Sequence, residues 1–220
     1  STNWSKFYLN YENMTLDETA PSNSQTISYD PMGDGVTLTT KPLQEEMEVT
    51  GPMAAKLFVS SESADADLFL VVRAFYPDFK EVVFKGALDP HTPIAQGWLR
   101  ASHRKLDDAL TRPDRPYHTH DEKQPLNPGE IYELDIEIWP SCISLPKGFR
   151  IALSVRGRDY VYPGGADGGL SNMKNKFTGV GPFLHDDPRD RPLDIFGKTV
   201  TLHNTEAQKS YVLLPVIPKK

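Results

Sequence analysis

The sequence predicts an all-β protein, a jelly-roll β-sandwich, and three observations carry that prediction. Segments rich in β-branched and aromatic residues recur along the chain, several of them alternate apolar with polar, and proline- and glycine-bearing turn signals separate them. Seven segments read as strands: VTGPMAAKLFVSS (49–61), DADLFLVVRAFYPD (65–78), QGWLRASHRKLD (96–107), EIYELDIEIWP (130–140), FRIALSVRGRDY (149–160), KTVTLHN (198–204) and SYVLLPVIP (210–218). In YELDIEIW, Tyr132, Leu134, Ile136 and Ile138 share one face and Glu133, Asp135 and Glu137 the other, the period of a half-buried strand. The turns are GP at 51, YPD at 76, NPG at 127, LPKG at 145 and YPGG at 162, among 19 prolines and 15 glycines. KLDDAL (105–110) has room for a single helical turn before Pro113 stops it. Short antiparallel strands with long polar loops describe two packed sheets. Residues 1–35 read as an extended lead-in packed on the same domain, and 36–220 as a single sandwich.

A chain of 220 residues can bury roughly 70% of its unfolded surface in one core. Its 24 basic and 30 acidic residues give a formal net charge of −6, which offers no long-range attraction to phosphate backbones or anionic lipid. Nucleic acid and membrane are therefore not expected partners, and no apolar run approaches the roughly 18 residues of a spanning helix. The polar start STNWSKFYLN is not a signal peptide, although a cut piece that had lost its native N-terminus would look the same. Cys142 is the single cysteine, which excludes an internal disulfide and mildly favours a reducing, cytoplasmic compartment.

Two clusters have the residue types of chemistry: HTHDE, with His118, His120 and Asp121, and FLHDDPRDRP, with His185, Asp186, Asp187, Arg189 and Arg191. Histidine beside carboxylate serves acid/base catalysis, metal binding and serine triads. A triad of the α/β-hydrolase kind needs G-x-S-x-G at a strand-to-helix turn, and the nearest glycine-flanked serine, Ser171 in GGLSNM, lacks that setting. Cys142 in WPSCISLP sits beside Ile143 and Leu145 and is expected near the core. In extended chain His118 could share an ion with His120, and His185 with Asp187, but two ligands do not make a site. No catalytic residue, metal or cofactor is expected within the chain. The bland reading of HDDPRDRP is a rigid loop in which Arg189 or Arg191 grips an aspartate or a carbonyl, and its charge suits a docking surface for something outside the chain. Tyr76, Phe79, Tyr117, Tyr160 and Tyr162 are loop aromatics of a kind that stacks on sugars, with core or interface roles favoured over that.

A longer set of phrases carries a resemblance. Thr40, Pro42 and Leu43, then Glu46, Gly51 and Pro52, Asp65 and Asp67, Gly97, Leu99, Arg100 and Ala101, Pro128 and Gly129, Trp139 and Pro140, and Gly148, Arg150 and Ile151 fall in order over about 36–156. This pattern resembles the C-terminal non-catalytic domain of X-Pro dipeptidyl-peptidases and cocaine-esterase-like (CocE/NonD) hydrolases. The resemblance implies a jelly roll similar to galactose-binding folds, attached after an α/β-hydrolase domain that holds the serine, acid and base. It further implies that this chain is inactive alone, and that its partner is its own catalytic domain. The connectors LDDALTRPDRPYHTHDEKQP (106–125) and YPGGADGGLSNMKNKFTGVGPFLHDDPRDRP (162–192) look like inserts that would face that domain, wall its pocket or make an oligomer contact. A free-standing carbohydrate- or ligand-binding module is the alternative.

Overall fold

A computed structural model describes residues 2–86, 88–164 and 177–219. Among them lie the strands β1 (Asn3–Asn10), β2 (Thr15–Asp17), β3 (Gln25–Tyr29), β4 (Val36–Thr39), β5 (Met47–Ser61), β6 (Asp67–Phe75), β7 (Glu81–Val82), β8 (Ala95–Arg100), β9 (Tyr132–Leu145), β10 (Arg150–Arg156), β11 (Val200–Asn204) and β12 (Tyr211–Ile217). Helix is confined to the 3-10 turn Ala101–His103 and the single turn α1 (Leu193–Phe196). In the first layer β5 is central, paired with β9 along one edge and with β12 and β11 along the other; β1 extends from β12 and β3 from β11. In the second layer β6 is central, between β10 and the pair β7 and β8, with β4 beyond β10. One parallel bridge, Thr15 to Thr39, joins the layers through β2 and β4. The result is the jelly-roll β-sandwich that the sequence predicts.

Leu9, Leu38, Met53, Leu57, Leu68, Leu70, Leu134, Ile136, Ile138, Leu153 and Leu202 fill the space between the layers and are fully buried. Each contributes on the order of 1.5–3 kcal/mol by leaving water, which fixes the register because a one-residue slip would turn the set outward. The run LFLVV in β6 is apolar without alternation because both of its faces are covered. Leu68, Leu70, Val72 and Ala74 enter the core, while on the other face Asp67, Phe69 and Arg73 meet Arg191, His185 and Tyr160 of the connector between β10 and β11, and Val71 is buried as well.

All seven expected strands are present, although the one expected over 96–107 ends at Arg100 and gives way to the 3-10 turn. The stretch expected as a lead-in supplies β1, β2 and β3, and β1 lies inside the first layer between β12 and β2. These strands escape a sequence reading because NWSKFYLN buries only Phe7 and Leu9 and the others are too short to show a period. KLDDAL makes one i to i+4 turn, from the Asp107 carbonyl to Thr111 N, without becoming a helix. Cys142 corrects an expectation: it is exposed. Between Gly51 and Met53 the β5–β9 register shifts, so that Trp139 and Pro140 together oppose Pro52 in a β-bulge. Beyond the bulge Ile143 and Leu145 turn inward, so Cys142 and Ser144, which alternate with them, point out. Ser171 lies outside the described residues.

The layers also approach on the side opposite β2, where β8 passes β9 at Gly97. A Cβ there would run into the Glu137 carbonyl oxygen and come within 3.0 Å of Ile138 Cα. Gly97→Ala is therefore expected to destabilise the protein by about 2–3 kcal/mol in urea unfolding. Gly129→Ala, at φ 81° with open space around it, should lose about 1–2 kcal/mol for the backbone conformation alone.

Candidate functional site

The two histidine clusters, some 65 residues apart in sequence, meet in one cleft of about 410 Å³. Its walls include Phe69 and Asp67 from β6, Trp98 and Arg100 from β8, Glu137 and Trp139 from β9, and His103, His118, His120, His185, Asp190 and Arg191 from the turns and connectors. Register explains the strand contribution. Asp67 is paired directly with Arg100 and Phe69 with Trp98, so both pairs stand on the outer face of the second layer.

The floor of the site is a charge lattice centred on Asp67. Arg100 grips it with Nε to Oδ1 at 2.8 Å and Nη2 to Oδ2 at 3.0 Å, and Arg191 donates Nε to Oδ2 at 2.8 Å. Asp67 and Arg191 are almost wholly buried. Arg191 completes its fork by donating to the carbonyls of His185 and Gly157. Asp190 takes two bonds from Arg100, 3.0 Å from Nη1 and 2.9 Å from Nη2, and these hold its carboxyl below the usual carboxylate range. The same partners, Asp67 first, raise the Arg100 guanidinium further above its ordinary value.

His185 is anchored by a second buried carboxylate. Asp159 accepts from His185 N at 2.6 Å and from Nδ1 at 3.0 Å. A carboxylate only accepts, so Nδ1 carries the proton and Nε2 is left for the cleft. The ring stands edge-on to Phe69, with centroids 5.6 Å apart, and 6.2 Å from Trp98. Asp89 holds the same connector just upstream of His185 by accepting from Gly179 N and Gly181 N, each at 2.7 Å.

On the opposite wall Asp65 holds the 3-10 turn that presents His103, accepting from Ser102 N at 2.9 Å and Ser102 Oγ at 2.6 Å. The following connector folds back as an irregular hairpin, with Asp107 N bonded to the Tyr117 carbonyl and Thr119 N to that of Lys105. It brings His120 Nδ1 to 3.1 Å from His103 Nδ1, with the His118 ring 5.9 Å from that of His120. His120 adopts a left-handed backbone, φ 53°, unusual for a side-chain-bearing residue. Burial, opposed by the Asp135 backbone, lowers the His118 pKa from its ordinary value. Trp139, at 62% exposure, stands edge-to-face on Trp98 with centroids 5.1 Å apart, leaving its own ring open to solvent.

Of the residues singled out from sequence, His118, His120, His185 and Arg191 enter the cleft. Asp121 turns to Thr119 Oγ1 at 2.5 Å and Lys105 Nζ at 2.9 Å. Asp187 and Arg189 pair with each other at 2.7 Å on the exposed outer side, and Asp186 is exposed. Sequence reasoning about the site missed Trp98, Trp139, His103, Glu137, Phe69 and Asp190. The loop aromatics lie elsewhere: Tyr160 is buried and donates to Glu81 at 2.7 Å, Tyr76 packs on Phe149 and Tyr162 on His91.

Chemically the cleft offers stacking surface, imidazoles and a neutralised salt lattice, and among the described residues no serine, threonine or cysteine lines it. Among the described residues no group of three His, Cys, Asp or Glu is placed to hold a metal ion. Ser60 Oγ lies 2.8 Å from His203 Nε2, but Ser60 is buried within the β5–β11 ladder, away from the cleft. A larger concavity of about 860 Å³, between residues 17–21, 40–47 and 216–219, has no histidine in its lining.

Asp67→Ala leaves two guanidinium groups over a buried vacancy of charge and is expected to destabilise by about 3–5 kcal/mol in urea unfolding. Asp187→Ala, on the solvent side, should leave the midpoint unchanged. Burial lowers the pKa of both His118 and His203 from 6.5, so the unfolded chain binds protons that the folded one refuses. Stability is then full above pH 6.5 and declines as pH falls through and below that value. Urea midpoints compared between about pH 7.5 and about pH 5.5 should show the decline, with a shallower slope in the His118→Gln, His203→Gln double variant.

Comparison with known proteins assigns the whole architecture. The family model for the X-Pro dipeptidyl-peptidase C-terminal non-catalytic domain matches residues 2–213. A protein of Mycobacterium bovis named "Putative serine esterase" is 33% identical over 131 residues, which is 56% of this chain and 19% of that protein. Among solved structures, a CocE/NonD family hydrolase from Staphylococcus aureus superposes with a TM-score of 0.81 at 24% identity, over 99% of this chain and 37% of that one. An aminopeptidase from a marine sediment Thaumarchaeota archaeon does so at 0.65 and 15% identity, again over 99% and 37%. The chain thus spans well under half the length of the proteins it matches. With the Asp65 and Asp67 carboxylates, the Gly97 approach and the Trp139–Pro140 bulge all in place on one sandwich, the chain belongs to the family of X-Pro dipeptidyl-peptidase C-terminal non-catalytic domains.

Proposed function

We propose that this domain serves a serine hydrolase of esterase or dipeptidyl-peptidase type, packing on an α/β-hydrolase domain of the same polypeptide and shaping substrate access to it. One observation supports this reading above the others. The two connectors that wall the cleft carry large apolar side chains that the domain itself leaves exposed: Leu110 and Tyr117 on one, Phe183 and Leu184 on the other. Exposed apolar side chains on rigidly tethered loops fit a covered interface better than a solvated surface. The tethers are the Asp67 lattice and the Asp159 and Asp89 carboxylates, which fix the second loop without help from a partner. His118, His120, Asp121, His185, Asp186, Asp187, Arg189 and Arg191 would then lie at or beside the interdomain face. No described helix is long and apolar enough to cross a membrane, and a single thiol suits a cytoplasmic parent enzyme.

The chain alone is expected to show no turnover of p-nitrophenyl esters or Xaa-Pro anilides. In the parent enzyme, Phe183→Asp with Leu184→Asp should lower the midpoint of interdomain unfolding and change KM for bulky substrates. Turnover by the isolated chain that a serine-directed reagent abolishes would overturn the reading.

A further inference from the structure

We propose that the cleft between Trp98, Trp139 and the four histidines is itself a binding site for an uncharged, hydroxylated ring, a saccharide of pyranose type. Charge decides against an ionic ligand. Within the lining, Arg100 and Arg191 are already committed to Asp67 and Asp190, and Glu137 is offset by Arg115 at 3.9 Å. The carboxylates and guanidinium groups of the site therefore sum to near neutrality, and an anion or cation entering it would lose hydration without gaining an uncommitted carboxylate or guanidinium as counter-charge.

Shape and polarity decide against a purely apolar ligand. The Trp139 ring is propped edge-on by Trp98 and presents an open face, which suits the C–H face of a sugar or the face of an aryl group alike. Around it, however, stand more hydrogen-bonding groups than an aryl group can use: His185 Nε2, the His103 and His120 rings and the Glu137 carboxylate. A ring with one apolar face and several hydroxyls at its edge meets both requirements. The volume of about 410 Å³ holds one or two such rings. This inference stands on the cleft alone and does not require the docking proposed above.

Two of the protein's three tryptophans line the cleft, while Trp4 lies on β1, outside its lining, so intrinsic fluorescence reports on the site. The chain is titrated with a panel of neutral mono- and disaccharides, with glucuronate, and with phenol as the aryl probe. A saturable change in emission with at least one neutral saccharide, weaker or absent with glucuronate and phenol, is expected. Trp139→Ala should weaken that binding about tenfold, and His120→Ala should weaken it with the emission spectrum of the free protein retained. Circular dichroism and the urea midpoint verify that both variants are folded; should Trp139→Ala unfold, Trp139→Phe replaces it. Saturation by phenol alone, by the charged sugar alone or by nothing in the panel overturns the proposal, as does saccharide binding that both variants leave unchanged.

Discussion

A single buried carboxylate, Asp67, holds two guanidinium groups, and the walls of the cleft depend on it. Arg100 approaches from the neighbouring strand and Arg191 from a connector more than 120 residues away in sequence. Desolvating these charges together is tolerable because every guanidinium nitrogen finds an acceptor: Arg100 continues to Asp190, and Arg191 to the carbonyls of His185 and Gly157. The lattice thereby ties the return path between β10 and β11 down onto the outer face of β6. Without that roof Phe69 would face water, and β6 would have less reason to be apolar on both sides.

Once the roof is fixed, the cleft follows. Arg191 and the Asp159 clamp set where His185 stands, Asp65 sets where His103 stands, and the hairpin after the 3-10 turn delivers His118 and His120 to the facing wall. None of these histidines is positioned by its own neighbours in sequence alone. Asp159 and Asp65 act on His185 and on the turn of His103 from other elements, and backbone bonds across the hairpin, Asp107 N to the Tyr117 carbonyl and Thr119 N to that of Lys105, place His118 and His120. The same tethering leaves Phe183 and Leu184 exposed, since the backbone on either side is held while the side chains find no pocket within the domain.

The third tryptophan position shows how backbone geometry supplies a functional side chain. Pro52 on β5 faces both Trp139 and Pro140 on β9, and the extra residue of the bulge interrupts the strict alternation of the strand. Proline is acceptable there because a bulge leaves one N–H unpaired in any case. Trp139 keeps the outward face of Glu133, Asp135 and Glu137 and stands beside Trp98, and the bulge that follows it turns Cys142, which neighbouring apolar residues suggested was a core thiol, to solvent.

The sequence by itself determined the fold class, all seven long strands, the family pattern and the presence of two unusual histidine clusters, because alternation, turn chemistry and burial are local properties written every two to four residues. It also contained both ends of the Asp67–Arg100 pair, within phrases that carry the resemblance. The tertiary structure alone decided that HTHDE and FLHDDPRDRP face each other, that Trp98 and Trp139 stand between them, and that Asp121, Asp187 and Arg189 stay outside. It also decided that residues 3–29 complete the sheet. Those outcomes depend on strand order, on one bulge and on contacts across more than a hundred residues of chain, and the hydrophobic period of a segment carries no information about which distant segment will cover it.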